Sequence, residues 1–275
     1  VFEAGEGVHS RVFTMKLPLS VYYITLNEED RLPESLGKVK GWVSEIIVVD
    51  SGSTDRTREL AAAAGARVVR RDWEGFASQK AYAASLCAND WVLDLDADEV
   101  LSDELVQNIK ALFSGSLPAD VAGYRMRWVL SPPDAGHPYR YERQKWILRL
   151  YNRKRASIQA EADSHDDRPK VLSGRVRNLP GDVLHRTLVS LEQTERKYCQ
   201  LSSEQARLIA RKGRNISNAR LALEFPLKFL KYYVLRGQFR NGWFGFCLSV
   251  ASANRNFMRL AKARELQMLK ERSEG

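Results

Sequence analysis

Four short runs rich in β-branched and aromatic residues constrain this chain most: residues 19–25 (LSVYYIT), 45–50 (EIIVVD), 67–70 (RVVR) and 91–95 (WVLDL). Strands that are apolar on both faces must be covered on both faces, and segments with helical character separate these runs. Residues 55–64 form one such segment, with Ser53 or Thr54 as N-cap and Gly65 as stop. The Ala-rich residues 76–86 form another, and Ser102 caps a third that runs to Phe113 with Asp103 and Glu104 in its first turn. This order predicts an α/β fold: a mainly parallel, Rossmann-like sheet with helices on both faces.

The pattern changes after Gly123. In residues 124–130, Tyr124, Met126, Trp128 and Leu130 alternate with Arg125, Arg127 and Val129, which predicts a strand with one wet face. A turn-rich segment (SPPDAGHP, 131–138) and a second mixed strand, 145–151, follow. From Leu188 the chain reads helical, broken at Gly213 and Pro226. The expected organisation is a leader at 1–14, a catalytic domain at 15–187 with halves 15–123 and 124–187, and a basic helical extension at 188–275.

Charge divides the chain the same way. Residues 1–123 carry 12 Lys and Arg against 20 Asp and Glu, whereas residues 124–275 carry 31 against 14. The basic half should meet something anionic: nucleic acid, an acidic membrane surface or a phosphorylated substrate. Three scattered cysteines, Cys87, Cys199 and Cys247, build no disulfide framework and no CxxC pair, which fits a reducing compartment. The longest charge-free stretch near the C-terminus, residues 241–254, has 14 residues and falls short of the roughly 18 that argue a spanning helix.

Ligands of open α/β sheets bind beyond the carboxyl ends of the strands, and two acidic clusters stand at such ends. EIIVVD runs into Asp50, Ser51, Gly52, Ser53, Thr54 and Asp55; WVLDLDADE places Asp94, Asp96, Asp98 and Glu99 where its strand stops. Strand alternation puts Asp94, Asp96 and Asp98 on one side while the chain stays extended. Left uncompensated, such a cluster repels itself. Mg²⁺ or Mn²⁺ would neutralise it with oxygen ligands and substrate phosphate. A solvated turn ahead of the Ser102 helix is the competing reading.

The strings YITLNEEDRLPESLGKVKGWVSEIIVVDSGSTDRTRELAAAAGARVV, WEGFASQKAYAAS and WVLDLDADEVLSDEL resemble family 2 glycosyltransferases of GT-A fold, in a branch similar to bacterial lipopolysaccharide-core glucosyltransferases. The resemblance is strong from Leu19 to Leu105 and continues through QKWILRLYNR, His165-Asp166, GDVLH and YVLRGQFRNGWFGF. It implies that Thr25, Asn27 and Glu29 lie in the loop receiving the base, and that Asp50 and Ser51 meet the nucleoside. By the same resemblance Lys80 lies near the nucleotide, and Asp96 and Asp98 form an Asp-x-Asp motif with Asp98 the direct metal ligand. His185 would complete the metal shell, with a satisfied core histidine as the alternative. Arg149, in RLYNR, would hold donor or acceptor phosphate, against the alternative of a solvated strand face.

Inverting transfer needs a base for the acceptor hydroxyl and a Lewis acid for the departing diphosphate. The resemblance assigns the base to Asp166, with Asp163 or Asp167 as substitutes; an acidic surface loop paired to Arg168 and Lys170 competes with it. The implied donor is a nucleotide sugar, UDP-glucose, and the implied acceptor a lipid-linked saccharide such as lipopolysaccharide core. The aromatic and basic residues of 221–235 and 241–258 suit an anionic bilayer, and equally suit internal packing or an oligomer contact. The expected location is the cytoplasm, peripheral on the inner face of a bacterial inner membrane. Two rivals remain at this stage. A nucleotidyltransferase would show a Gly-rich loop where this chain has LNEEDRLPES. A nucleic-acid-binding module would leave both acidic clusters without a purpose, so no nucleic acid is expected.

Overall fold

The structure, a computed structural model, describes residues 16–131, 145–159, 167–186, 191–213 and 215–274. The leader at 1–14, most of the turn-rich segment, Asp163, His165 and Asp166 lie outside these residues. In chain order the elements are β1 (Leu17–Thr25), α1 (Leu32–Val39), β2 (Val43–Asp50), α2 (Thr57–Ala63), β3 (Arg67–Arg70), α3 (Phe76–Ser85), β4 (Trp91–Asp94), β5 (Glu99–Leu101) and α4 (Asp103–Ser114). There follow β6 (Val121–Leu130), β7 (Lys145–Asn152), β8 (Ala156–Ser157), β9 (Lys170–Val171), β10 (Arg175–His185), α5 (Leu191–Arg211), α6 (Asn218–Leu230) and α7 (Gly242–Glu274). A π-helical stretch, Lys231–Leu235, and a 3-10 turn, Gln238–Asn241, join α6 to α7.

Eight strands form one sheet in the order β3-β2-β1-β4-β7-β6-β10-β5. β1 runs parallel to β2 and β4, β2 runs parallel to β3, and β7 is antiparallel to β4. The predicted strands are present, and so is the cover on both faces. Successive residues of a strand point to opposite faces. Tyr22 enters a cluster with Ala77, Ala83 and Ala84 of α3, whereas the Tyr23 hydroxyl meets Ser35 Oγ of α1 at 3.0 Å. Helices α1 and α3 therefore cover opposite faces of β1. Near the N-terminus of α4 the chain of β10 passes so close that a Cβ on Gly181, at φ +100°, would lie 2.6 Å from Leu105 N.

Three sequence expectations change. Neither Ser53 nor Thr54 caps α2: Arg56 holds that position without a side-chain bond, and the Ser53 hydroxyl turns back to Asp50. Pro226 does not break its helix but sits inside α6, which packs along α7. Tertiary packing there outweighs the roughly 3 kcal/mol penalty of an interior proline, and the helical path breaks later, at Gly237 and Gly242, both with positive φ. The alternation of β6 holds through Met126 and then slips, with Val129 buried and Trp128 half-buried. The Trp128 ring lies against His185, centroids 4.3 Å apart, with Lys145 Nζ 5.5 Å from it.

Two compact units result. Of the described residues, the first comprises those through Met126 and those of 146–181; the second comprises those of 127–145 and those from Asp182 onward. Within the second, Ala206 of α5 and Leu260 and Ala263 of α7 form a small core with Ile216. Among the described residues, no helix is long and apolar enough to cross a membrane.

Candidate active site

The parallel registers place the ends of β1, β2 and β4 side by side, with Thr25 opposite Asp50 and Tyr22 opposite Asp94. The loops leaving β1 and β2 are stitched to each other. Asn27 N donates to Ser53 Oγ (2.9 Å), Glu28 N to Thr57 Oγ1 (2.7 Å) and Glu29 N to Asp55 Oδ2 (3.1 Å). In return Thr54 N donates to Asn27 Oδ1 (2.9 Å) and Arg56 N to Glu29 Oε2 (3.1 Å). Asn27 adopts φ +55°, a left-handed geometry that asparagine tolerates better than most residues. The NEE and DSGSTD strings are thus two halves of one hydrogen-bonded unit.

Asp50 is fully buried at the centre of that unit. Its carboxylate accepts from Thr25 Oγ1 (3.1 Å), Gly52 N (3.0 Å), Ser53 N (2.9 Å) and Ser53 Oγ. Its oxygens hold the loop rather than facing outward. Ser51 accepts from Gln79 Nε2 at 2.9 Å, which ties the same loop to α3. Gln79 is fully buried and also donates to the Arg71 and Asp72 carbonyls. The sequence reading missed it, although the GFASQK string that pointed to Lys80 contains it.

Strand β4 ends at Asp94, so alternation does not carry Asp96 and Asp98 onto one side with it. Residues 96–99 instead close a turn in which Glu99 N donates to Asp96 O (2.9 Å) and Asp96 N to Glu99 Oε2 (3.2 Å). The charges of Asp94 and Asp96 converge on cations from the chain itself. Lys80 Nζ lies 2.8 Å from Asp96 Oδ1, 3.1 Å from Asp167 Oδ2 and 3.4 Å from Asp94 Oδ1. Arg149 reaches Asp94 Oδ2 at 3.0 Å, Asp96 Oδ2 at 2.8 Å and Glu99 Oε1. Lys80 is 1% exposed, and Asp94 and Glu99 are fully buried. Arg149, expected at a substrate phosphate, spends its guanidinium on three carboxylates.

Among the described residues two cations face four carboxylates here, and burial penalises the charged forms of the innermost acids. It raises the pKa of Asp94 against the pull of Lys80 and Arg149, and raises that of Glu99 to about 7 against Arg149. Burial also works to raise Asp96, but Lys80 and Arg149 outweigh it and hold that group below the usual carboxylate range. Lys80 is a cation whose desolvation is more than offset by Asp94 and Asp96.

Asp98 turns the other way, its Oδ2 3.7 Å from Arg31 Nη1, while Arg31 Nη2 bonds Glu28 Oε1 at 2.7 Å. Burial raises Glu28 to about 7, with Arg31 opposing and Asp98 adding to the rise, and Glu28 Oε2 is buried without a hydrogen-bond partner among the described residues. Among the described residues no three His, Cys, Asp or Glu side chains are grouped to hold a metal. The donor set still fits a hard cation shared with substrate. Asp98 carries an oxygen ligand outside the Lys80–Arg149 cluster, and Mg²⁺ typically needs one or two carboxylates besides substrate oxygens. His185 belongs to the second unit, packed on Trp128.

The profile of glycosyl transferase family 2 matches residues 20–169, more than half of the chain. The chain belongs to this family. An uncharacterized glycosyltransferase of Rickettsia prowazekii is 36% identical over 91% of this chain and 88% of its own length. The lipopolysaccharide core biosynthesis glycosyltransferase LpsC of Rhizobium meliloti is 33% identical over 94% and 96%. A crystal structure of glucosyl-3-phosphoglycerate synthase from Mycobacterium tuberculosis with Mn²⁺ and UDP-glucose is 27% identical over 41% of this chain and 44% of that one, with a TM-score of 0.34. The matched segment contains the β1 and β2 loops, the β4 turn, Lys80 and Arg149.

Proposed function

We propose that the protein is a metal-dependent, inverting glycosyltransferase that moves a sugar, glucose from UDP-glucose, to a lipid-linked saccharide of the lipopolysaccharide-core type. The carrying observation is the acidic turn at the end of β4. Its Asp96 is locked by Lys80 and Arg149, and its Asp98 projects outside that lock beside the stitched loops of β1 and β2. The likeness to LpsC over nearly the full length of both chains supports the acceptor class.

In this reading the loop of Thr25, Asn27, Glu29, Asp50 and Ser51 is a rigid frame for the nucleoside, because its own hydrogen bonds fix it before the donor arrives. Lys80 and Arg149 position the Asp-x-Asp turn rather than meeting the nucleotide directly. Asp98, with Asp96 behind it, would hold Mg²⁺ or Mn²⁺, which when bound supplies Lewis-acid stabilisation of the leaving diphosphate. A carboxylate of the 163–167 segment takes the acceptor proton. Asp166 is the expected base, and Asp167 is instead the one that Lys80 holds.

Asp166→Asn should therefore lower turnover by on the order of 10² or more with donor binding nearly unchanged. Asp167→Asn should cost less than tenfold, as a loosened ion pair would. Single-turnover kinetics on both variants and on Asp163→Asn check this; an active Asp166→Asn beside a dead Asp167→Asn or Asp163→Asn moves the base to that neighbour.

The acceptor class implies work at a membrane surface, and α6 suits it. Leu223, Leu227 and Leu230 fall at i, i+4 and i+7 and are all exposed, and the exposed Leu235, Phe239 and Trp243 continue the surface. Lys231 and Arg240 are exposed within the same stretch, and each cation near an anionic bilayer contributes about 1 kcal/mol. We therefore expect the protein to float with vesicles containing anionic lipid and to be released by salt. Leu227→Asp with Leu230→Asp should abolish flotation while sparing donor hydrolysis. Equal recovery with neutral and anionic vesicles would favour an oligomer contact for this face.

A further inference from the structure

The second unit contains a cavity of about 230 Å³ that the proposed transfer chemistry does not use. Trp128 of β6, Tyr198 of α5 and Tyr232 supply aromatic wall, and Lys197, Arg236 and Arg255 supply positive charge. No carboxylate is among its described lining residues. The cations are not spent on ion pairs with described carboxylates, and two are held in place by rings instead. The Arg236 guanidinium carbon lies 4.9 Å from the Tyr232 ring centre, and that of Arg255 lies 4.9 Å from the Tyr198 ring centre. A guanidinium held over a ring is fixed while its N–H groups remain available, which prepares it for a carboxylate or a phosphate. Arg255 Nε is buried and has no hydrogen-bond partner among the described residues, a donor still waiting for an acceptor.

We propose that this cavity binds one anionic sugar residue, carrying a phosphate or carboxylate group. The volume lies below the roughly 300–1,000 Å³ of drug-sized ligand sites and suits a single ring. Trp128, Tyr198 and Tyr232 supply aromatic surface at the cavity wall to lie alongside a pyranose, and the arginines and Lys197 take its charge. Only the assignment of that sugar to the acceptor rests on the glycosyltransferase reading.

Calorimetric titration of the full chain with glucose 6-phosphate, glucuronate, glucose and inorganic phosphate tests the site. The two anionic sugars should bind saturably and at least tenfold more tightly than glucose or phosphate. Arg255→Gln should weaken them at least tenfold and the exposed Arg236→Gln at least threefold, with Asp98→Ala leaving their binding unchanged. Glucose or inorganic phosphate binding as tightly as glucose 6-phosphate would overturn the proposal. So would a folded Arg236→Gln variant with unaltered affinity, or loss of binding in Asp98→Ala. Donor hydrolysis measured in parallel keeps the two readings apart: its absence alongside saturable sugar binding fails the transferase and leaves the site, and the converse fails the site alone.

Discussion

Replacing Arg149 with methionine should destabilise the protein by about 3–5 kcal/mol, the usual cost of removing one partner from a buried charge cluster. Arg149 is 6% exposed and serves Asp94, Asp96 and Glu99, of which Asp94 and Glu99 are fully buried. The methionine would fill much of the space and answer none of the charge. The deficit should also depend on pH in a definite direction. A carboxyl whose folded pKa lies above its unfolded value binds more protons in the native state, so stability falls as pH rises from the unfolded pKa through the folded one. Glu99, already raised to about 7 by burial against the pull of Arg149, would move higher without that guanidinium. The gap between variant and wild type should therefore widen above pH 7. Urea unfolding at pH 6 and pH 8 checks both points. A deficit below about 1 kcal/mol at either pH would mean that Lys80 alone holds the turn.

Asp98→Ala should leave the fold intact and lower sugar transfer by on the order of 10² or more, the scale seen when one electrostatic stabiliser of a transition state is removed. Asp98 lies outside the Lys80–Arg149 cluster and contributes to the raised pKa of Glu28, so its loss relieves a like-charge contact as well as removing the expected metal ligand. Thermal unfolding should be nearly unchanged, while divalent-ion-dependent binding of UDP should weaken. Chelation by EDTA should silence the wild-type protein in the same assay. Full activity in EDTA, or in the Asp98→Ala protein, would remove the metal from the mechanism and leave Asp98 as a partner of Arg31.

Much of the first half was legible from the chain alone, because local signals there agree. Double-faced apolar runs must form covered strands, and Ser102 caps α4 as its hydroxyl predicts, accepting from Leu105 N at 3.2 Å. The acidic clusters fall at the carboxyl ends of β2 and β4, where the fold class places a ligand. The family resemblance also singled out Asp50, Lys80, Asp96, Asp98 and Arg149. It could not say what each one touches, since Arg149 lies 50 to 55 residues from its three carboxylates and is brought to them only by sheet order. β7, entering antiparallel beside β4, delivers Arg149 to the turn, and α3 delivers Lys80 to the same place. The cluster that looked in need of an external ion therefore carries two cations of its own, and Asp50, which looked like an outward ligand, is saturated by its loop. Pro226 makes the same point for the second half: the local rule ends the helix there, and packing along α7 carries it through. Local periodicity fixes which segments can be strands or helices, whereas only long-range packing decides which buried charges neutralise one another and which are left to meet a substrate.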